Sequence, residues 1–134
     1  MFKKKIQQTK INPPLIPLQY PSGIAVFDGT NTYFIKNSKK YRIVSDRAVK
    51  SWGFNVWYGS PESLSKTPLG GILGFRDGTV IKDISNGKIY LVVNSMKQHI
   101  TTPDFFDKFG IDRNLIVEVS SKEAELHKNG EPIN

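Results

Sequence analysis

The chain contains no cysteine, which excludes disulfide bonds and thiolate chemistry. Small secreted scaffolds depend on disulfides and zinc ribbons depend on cysteine ligands, so neither class fits this sequence. Only two histidines are present. We interpret His99 as a half-exposed strand residue and His127 as a cation near the C-terminal end of a short helix, where the helix dipole favours it.

Long apolar runs are absent as well. No stretch approaches the roughly 20 apolar residues of a transmembrane helix, and the basic N-terminus is not followed by an apolar run of signal-peptide length. We therefore expect no membrane partner. We also expect a protein that is made and used without classical secretion.

The patterns that carry catalysis or bind cofactors are also missing. No serine lies in a nucleophile elbow, and no His, Asp and Glu cluster has metal-ligand spacing. The segment "PLGGILG" lacks the closing Gly-Lys-Ser/Thr of a phosphate-binding loop. The acidic pairs Asp104 with Asp107 and Glu123 with Glu125 are interpreted as solvated carboxylates on helical turns. We predict a non-enzymatic protein with no cofactor and no metal.

Acidic residues are the minority charge. The 12 Asp and Glu stand against 19 Lys and Arg, which gives a net charge of +7 and favours anionic partners. Six cations of the first half lie close in sequence to aromatic side chains, so nucleic-acid binding is one alternative. Against it, the core of a small domain accounts for the same aromatics, and Trp52 is predicted on a buried helix face with its counterpart Phe109. The six cations are Lys36, Lys39, Lys40, Arg42, Arg47 and Lys50.

What the chain does have is an internal repeat. Residues 21–55 align with residues 78–112 at a constant offset of 57 without a gap. A module of this size is marginal alone, so we expect the two copies to share a core. The identical pairs are Tyr33 and Tyr90, Asn37 and Asn94, Ser38 and Ser95, Lys40 and Lys97, Ile43 and Ile100, and Gly53 and Gly110.

Local signals recur in the same order in both copies. Two apolar runs around a turn predict a β-hairpin, and "KYRIV" or "KQHIT" predicts a third strand. A short helix follows, with Ser45 or Thr102 as its N-cap and Gly53 or Gly110 as its C-cap. We expect each helix to be held against its hairpin. The next apolar run, "FNVWY" or "LIVEV", precedes a capping signal.

These signals predict an α+β fold of two tandem ββ-β-α-β repeats, packed together about a pseudo-twofold axis and preceded by an extended arm. The segment "SLSKTPLGGILGF" is predicted to be a short linker between the repeats. The predicted divisions are residues 1–20 for the basic, proline-rich arm, 21–77 for repeat 1 and 78–134 for repeat 2.

The second copy contains an Asp-Gly-Thr motif, a Tyr-Leu-Val strand, a basic residue before an isoleucine, and an aromatic helix that ends in glycine. These residues are Asp77-Gly78-Thr79, Ile89-Tyr90-Leu91-Val92, Lys97, Ile100, Phe105 and Gly110. With them the second copy resembles a short repeat family of bacterial surface proteins, and similar units occur in some tailed-phage structural proteins. The first copy matches less well, because Asp28-Gly29-Thr30 lies in the hairpin turn. No catalytic residue comes with the resemblance, which implies a non-enzymatic interaction or scaffold module displayed on an envelope or particle.

The N-terminal arm is the predicted partner-binding segment. Its prolines favour extended chain, and its apolar residues suit contact with a neighbouring subunit or a sheet edge. Folding of the arm back onto its own modules is the alternative. The predicted partner-binding residues are Lys3, Lys4, Lys5, Lys10, Ile11, Leu15, Ile16, Leu18 and Tyr20 in the arm, with Arg42 and Lys50 as a second contact.

We predict a structural and assembly protein, an accessory virion protein of a tailed bacteriophage at the neck, tail or capsid surface. Its expected partners are other structural proteins of the particle in multiple copies, and its expected location is the virion assembled in the host cytoplasm. The runner-up is a cell-surface or cell-wall adhesion module, located at the cell surface, and nucleic-acid binding is the remaining alternative.

Overall fold

The structure is a computed structural model that describes residues 13–134. The chain divides into two compact units, and each is discontinuous in sequence. The first comprises the chain up to Ile43 together with Gly53–Leu73, and the second comprises Val44–Trp52 together with Gly74–Asn134. With two mixed sheets and three short helices, the fold is α+β, as predicted.

The first unit is built on a five-stranded sheet of order β4-β1-β2-β3-β5. Strands β1, β2 and β3 form an antiparallel meander, while β4 pairs in parallel with β1 and β5 in parallel with β3. The bounds are β1 Ala25–Phe27, β2 Thr32–Lys36, β3 Lys39–Ile43, β4 Val56–Tyr58 and β5 Leu69–Leu73.

The second unit contains α1 and a four-stranded sheet of order β8-β7-β6-β9. Strand β9 is parallel to β6, and the C-terminal segment adds parallel bridges to the other edge, Lys97 with Asn129 and Ile100 with Ile133. The bounds are α1 Asp46–Trp52, β6 Val80–Asp83, β7 Ile89–Val93, β8 Met96–His99, α2 Phe105–Phe109, β9 Val117–Val119 and α3 Ser121–Glu125, with a 3-10 turn at Arg113–Leu115.

Four strands therefore have the same order and directions in both sheets, which confirms the predicted two-repeat α+β fold. The match extends to side chains. Lys40 lies 5.0 Å from the Tyr33 ring centroid and donates to the Leu64 carbonyl. Its counterpart Lys97 lies 5.5 Å from the Tyr90 ring and donates to the Ala124 carbonyl. Packing of the two units against each other stays a prediction.

The constant offset of 57 is wrong outside the centre of the repeat. Val26 pairs with Tyr33 seven residues later, whereas Ile81 pairs with Tyr90 nine residues later, so the second hairpin loop is two residues longer. The path from the helix to the last strand is also longer in the second copy, and it contains the 3-10 turn. Loop length is weakly constrained by a fold, so the register drifts there while the strand pairs are kept.

The β2–β3 and β7–β8 turns explain the identical Asn-Ser pairs. Asn37 and Ser38 have φ angles of 51° and 64°, and Asn94 and Ser95 have φ angles of 52° and 64°. Two successive residues with positive φ form the type I′ turn that suits a two-residue hairpin, and asparagine tolerates this conformation.

The predicted linker is wrong, because "PLGGILG" contains strand β5, which lies at the sheet edge beside β3. Gly70 permits this pairing: a Cβ there would lie 2.7 Å from atoms of the Tyr41 ring. The glycines looked like signs of flexibility, but at this position glycine allows close approach of the backbone to a ring.

The caps and faces of the helices differ in part from prediction. Ser45 accepts from the Ala48 N–H, as an N-cap does, but the N-cap of α2 is Asp104 and not Thr102. The prediction that Phe109 is buried is also wrong, since it is 62% exposed. Helix α2 has only five residues, and Phe105 and Phe106 already fill the contact with the sheet.

Each unit has its own apolar cluster. In the first unit Tyr20, Val26, Ile35 and Leu64 pack together. In the second, α2 is held against its own sheet, as predicted, through a cluster of Val80, Ile100, Phe105 and Phe106. For α1, by contrast, the hydrogen bonds of its residues reach Glu123, Gly74 and Arg76 of the second unit.

Among residues 13–134, no helix has the length and apolar character needed to cross a membrane.

Candidate partner-binding site

The described part of the arm, residues 13–20, is held by its backbone against the first unit. The Ser60 hydroxyl donates to the Pro14 carbonyl, and the Leu18 N–H donates to the Ser63 carbonyl over 2.9 Å. Residues 13–20 form neither helix nor strand, consistent with their three prolines. We call residues 13–20 the anchored arm; over this length the folded-back alternative is correct.

Tyr20 is not available to a partner, which corrects its assignment as a partner-binding residue. It is only 8% exposed, and its hydroxyl donates to the Ser63 Oγ over 2.9 Å. Its ring belongs to the cluster with Val26, Ile35 and Leu64. These neighbours are distant in sequence, so no local pattern distinguished Tyr20 from the exposed apolar residues before it.

The apolar side chains before Tyr20 face solvent. Leu15 is 73% exposed and Ile16 is 67% exposed, and Leu18 is exposed to a smaller degree. Because the backbone is fixed at Pro14 and Leu18, these side chains are presented on an ordered segment. A partner that covered them would gain apolar burial without the full entropy loss of ordering a free tail. The predicted arm residues Lys3, Lys4, Lys5, Lys10 and Ile11 lie outside the described residues.

The second predicted contact, Arg42 with Lys50, involves residues of both units. Arg42 is half-buried on β3, paired across the sheet with Tyr33. Lys50 is exposed on α1, which belongs to the second unit. A joint surface that includes both residues stays a prediction.

Two of the six clustered cations have structural roles. Lys40 donates to the Leu64 carbonyl, and Arg47 forms a bidentate ion pair with Glu123. Lys36 and Lys39 are exposed and face each other across the β2–β3 turn. The cationic surface of the first unit is thus smaller than the sequence indicated.

Glu123 is the polar centre of the second unit, and its interpretation as a solvated carboxylate is wrong. Its side chain is buried and accepts hydrogen bonds from the Ser45 hydroxyl at 2.5 Å, from Arg47 and from the Ser120 N–H. Arg47 NH2 lies 2.8 Å from Glu123 Oε1. Burial by itself raises the pKa of Glu123, but the Arg47 guanidinium and the serine donors lower it to about 2. The pairing raises the pKa of Arg47.

His127 directly follows the C-terminal end of α3, as predicted, but it is a buried residue held by side-chain hydrogen bonds and not a cation that interacts with the helix dipole. Its Nε2 accepts from the Phe75 N–H at 3.0 Å, so its Nδ1 carries the proton and donates to the Ser95 carbonyl at 2.7 Å. A Cβ on Gly74 would lie 2.5 Å from Nε2, so only glycine lets the ring approach this closely. His99 is half-buried on β8, as predicted, with its ring 5.5 Å from that of Tyr90.

Within residues 13–134, every buried side-chain nitrogen or oxygen has a hydrogen-bond partner. Over the same residues, no group of three or more His, Asp or Glu side chains could hold a metal ion. Satisfied polar groups of this kind stabilise a fold.

The second unit also has an open groove of about 510 Å³. One wall is formed by the Arg47, Lys50 and Ser51 side of α1. The rest is lined by the start of β6, by Leu91 of β7, and by apolar residues between α2 and β9. No sequence pattern predicted this groove, because its walls come from segments far apart in the chain. The remaining lining residues are Gly78, Thr79, Val80, Ile111, Leu115 and Val117.

Comparisons with protein families, curated proteins and solved structures found no match to this chain.

Proposed function

We propose that the chain is a non-enzymatic assembly protein that contacts a neighbouring structural protein through its anchored arm. Its setting in this proposal is a tailed-phage particle, at the neck, tail or capsid surface, where it is an accessory virion protein. The partner covers Leu15, Ile16 and Leu18, and the basic residues before them add charge attraction to an acidic neighbouring surface.

One observation carries the proposal: a fixed backbone with outward apolar side chains. Isolated exposed apolar residues are common on protein surfaces, but Leu15 and Ile16 are adjacent and lie on a segment pinned at both ends. Such a segment is preorganised for binding. The resemblance of the second repeat to a family found in surface and phage structural proteins supports the same class of function.

The experiment compares a double variant, Leu15→Asp with Ile16→Asp, with a matched control, Ile84→Asp. Ile84 is an exposed isoleucine in the second unit, distant in sequence from the arm. Each protein would be produced during infection, and its copies per purified particle counted by quantitative mass spectrometry. We expect at least a roughly tenfold loss of occupancy for the double variant and none for the control, since buried charges weaken apolar contacts strongly.

The same preparations give the opposing outcomes. Wild-type occupancy of the double variant would overturn the role of the arm. A wild-type protein absent from particles and found in the cell-envelope fraction would favour the adhesion alternative.

Nucleic-acid binding is the second candidate, favoured by Lys36 and Lys39, which are exposed at one turn. It is tested by titrating single- and double-stranded DNA over a salt series. Genuine phosphate contacts weaken binding steeply as salt rises. The double variant Lys36→Glu with Lys39→Glu should then lose binding, while Lys88→Glu in the second unit should not.

A further inference from the structure

The groove of the second unit combines an apolar floor with one cationic wall. Val80, Leu91, Ile111 and Val117 supply apolar surface, and Leu115 lies at the open side with 69% of its surface exposed. Among the described residues 13–134, none that lines the groove is acidic. An occupant therefore needs an apolar group for the floor and a negative charge for the wall.

The two cations of the wall are not equivalent. The charge of Arg47 is already neutralised by Glu123. The same ion pair holds α1 in place as the wall of the groove. Lys50 is exposed and has no hydrogen-bond or ion-pair partner among residues 13–134. Lys50 is thus the cation of the groove that is available to an occupant. Its position on α1 is set by the Arg47–Glu123 ion pair one helical turn earlier.

From this arrangement we propose that the groove binds a segment of a partner protein in which a carboxylate side chain is next to a large apolar side chain. The apolar side chain packs on Leu91, Ile111 and Leu115, and the carboxylate pairs with Lys50. This site has a different chemistry from the anchored arm, and it does not depend on the arm's role.

The shape of the groove favours a peptide over a small amphiphile. Small-molecule sites enclose most of their ligand, whereas this groove is open along the exposed Leu115. Open grooves with an apolar floor typically receive side-chain anchors from an extended or helical partner segment. A charged rim then selects the partner and its orientation.

The test is an NMR titration of the full-length, ¹⁵N-labelled protein with the capped peptide Asp-Leu-Leu-Asp. Matched peptides replace both aspartates by asparagine, both aspartates by lysine, or both leucines by serine. Backbone amide shifts are expected to map to Lys50, Thr79, Leu91 and Ile111. Replacing either chemical group in the peptide should weaken binding about tenfold.

Variants assign the two contacts. Lys50→Glu and Leu115→Ser should each weaken binding of the aspartate peptide about tenfold, because both side chains are exposed and their loss leaves the core intact. Lys88→Glu, an exposed cation on the β6–β7 turn of the same unit, is the matched control and should bind like the wild type.

Four results would overturn the proposal. They are the absence of peptide-induced shifts, equal binding of the lysine peptide, wild-type binding by Lys50→Glu, and saturation of the groove by octanoate with no response to peptide. Line broadening that grows with protein concentration alone and maps to the groove would also overturn it, because a second copy would then be the occupant.

Discussion

The Glu123 carboxylate accepts more hydrogen bonds than any neighbouring side chain described above. These bonds connect segments that are far apart in the chain. Ser45 and Arg47, which reach it, lie 78 and 76 residues earlier. Removal of one member of a buried pair leaves the other without compensation, so the effect of substitution is larger than for a surface pair. The half-exposed Arg47 moderates that effect, because solvent screens its charge.

We predict that Glu123→Gln lowers the free energy of unfolding by about 2 kcal/mol at pH 7. The pKa of Glu123 is about 2 in the folded protein, whereas its ordinary value, expected in the unfolded chain, is 4.5. The carboxylate therefore contributes fully above pH 4.5, and its contribution is lost as the pH falls towards 2. Urea unfolding of both proteins across this range measures the difference, which should shrink with acid. A difference that stays constant with pH would show that packing, not charge, is responsible.

The His127 side chain bonds only to groups that are distant in sequence, the Phe75 N–H and the Ser95 carbonyl. We expect His127→Ala to destabilise the protein by about 3 kcal/mol, because it leaves the buried Phe75 N–H without an acceptor, removes the bond to the Ser95 carbonyl and creates a cavity. His99→Ala, at a half-buried strand position, is the control and should cost less than about 1 kcal/mol. Thermal unfolding followed by circular dichroism compares them. Equal losses would contradict the assigned role of His127.

At the scale of elements, the sequence predicts what local chemistry determines. The Asn-Ser turns and the C-cap Gly110 follow from residue types that tolerate positive φ. The meander strands follow from the alternation of apolar residues, and both signals are contained in a few consecutive residues. Strand β5 was missed because "PLGGILG" has no alternation and its pairing with β3 is long-range. The apolar composition of the arm was also evident from the sequence, but the burial of Tyr20 depends on Ile35 and Leu64, which lie far along the chain.

The arm itself can be tested by two truncations. Deletion of residues 1–12 leaves Tyr20 and both backbone anchors of the arm in place, so this variant is the reference for the longer truncation. Deletion of residues 1–20 removes Tyr20 from the core of the first unit and should cost at least about 3 kcal/mol. Unfolding in urea measures both. Equal stability of the two truncations would contradict the structural role of Tyr20.

At the scale of the whole molecule, the sequence repeat and the compact unit are different divisions. By sequence α1 belongs to the first repeat, yet it lies in the second unit. The alignment predicted the duplication but not the position of α1 in the second unit. A helix of seven residues has no sequence pattern that identifies the surface it covers.

This division predicts that the fragment Gly74–Asn134 is much less stable than the full chain. It lacks Ser45 and Arg47, and a fragment of this length buries too little surface to tolerate the loss. The longer fragment Val44–Asn134 restores α1 and should recover a cooperative unfolding transition. Calorimetry of both fragments measures this. A cooperative transition of the shorter fragment near the melting temperature of the full chain would contradict the prediction.

The position of α1 in the second unit has a consequence for synthesis on the ribosome. Chains emerge from their N-terminus, so all five strands of the first sheet are available once Leu73 has been made. Ser45 and Arg47 emerge before that point, yet they have no carboxylate to bind until Glu123 follows. A helix made early therefore waits for 76 further residues before its carboxylate partner exists, and the second unit cannot close before Glu123 has been made.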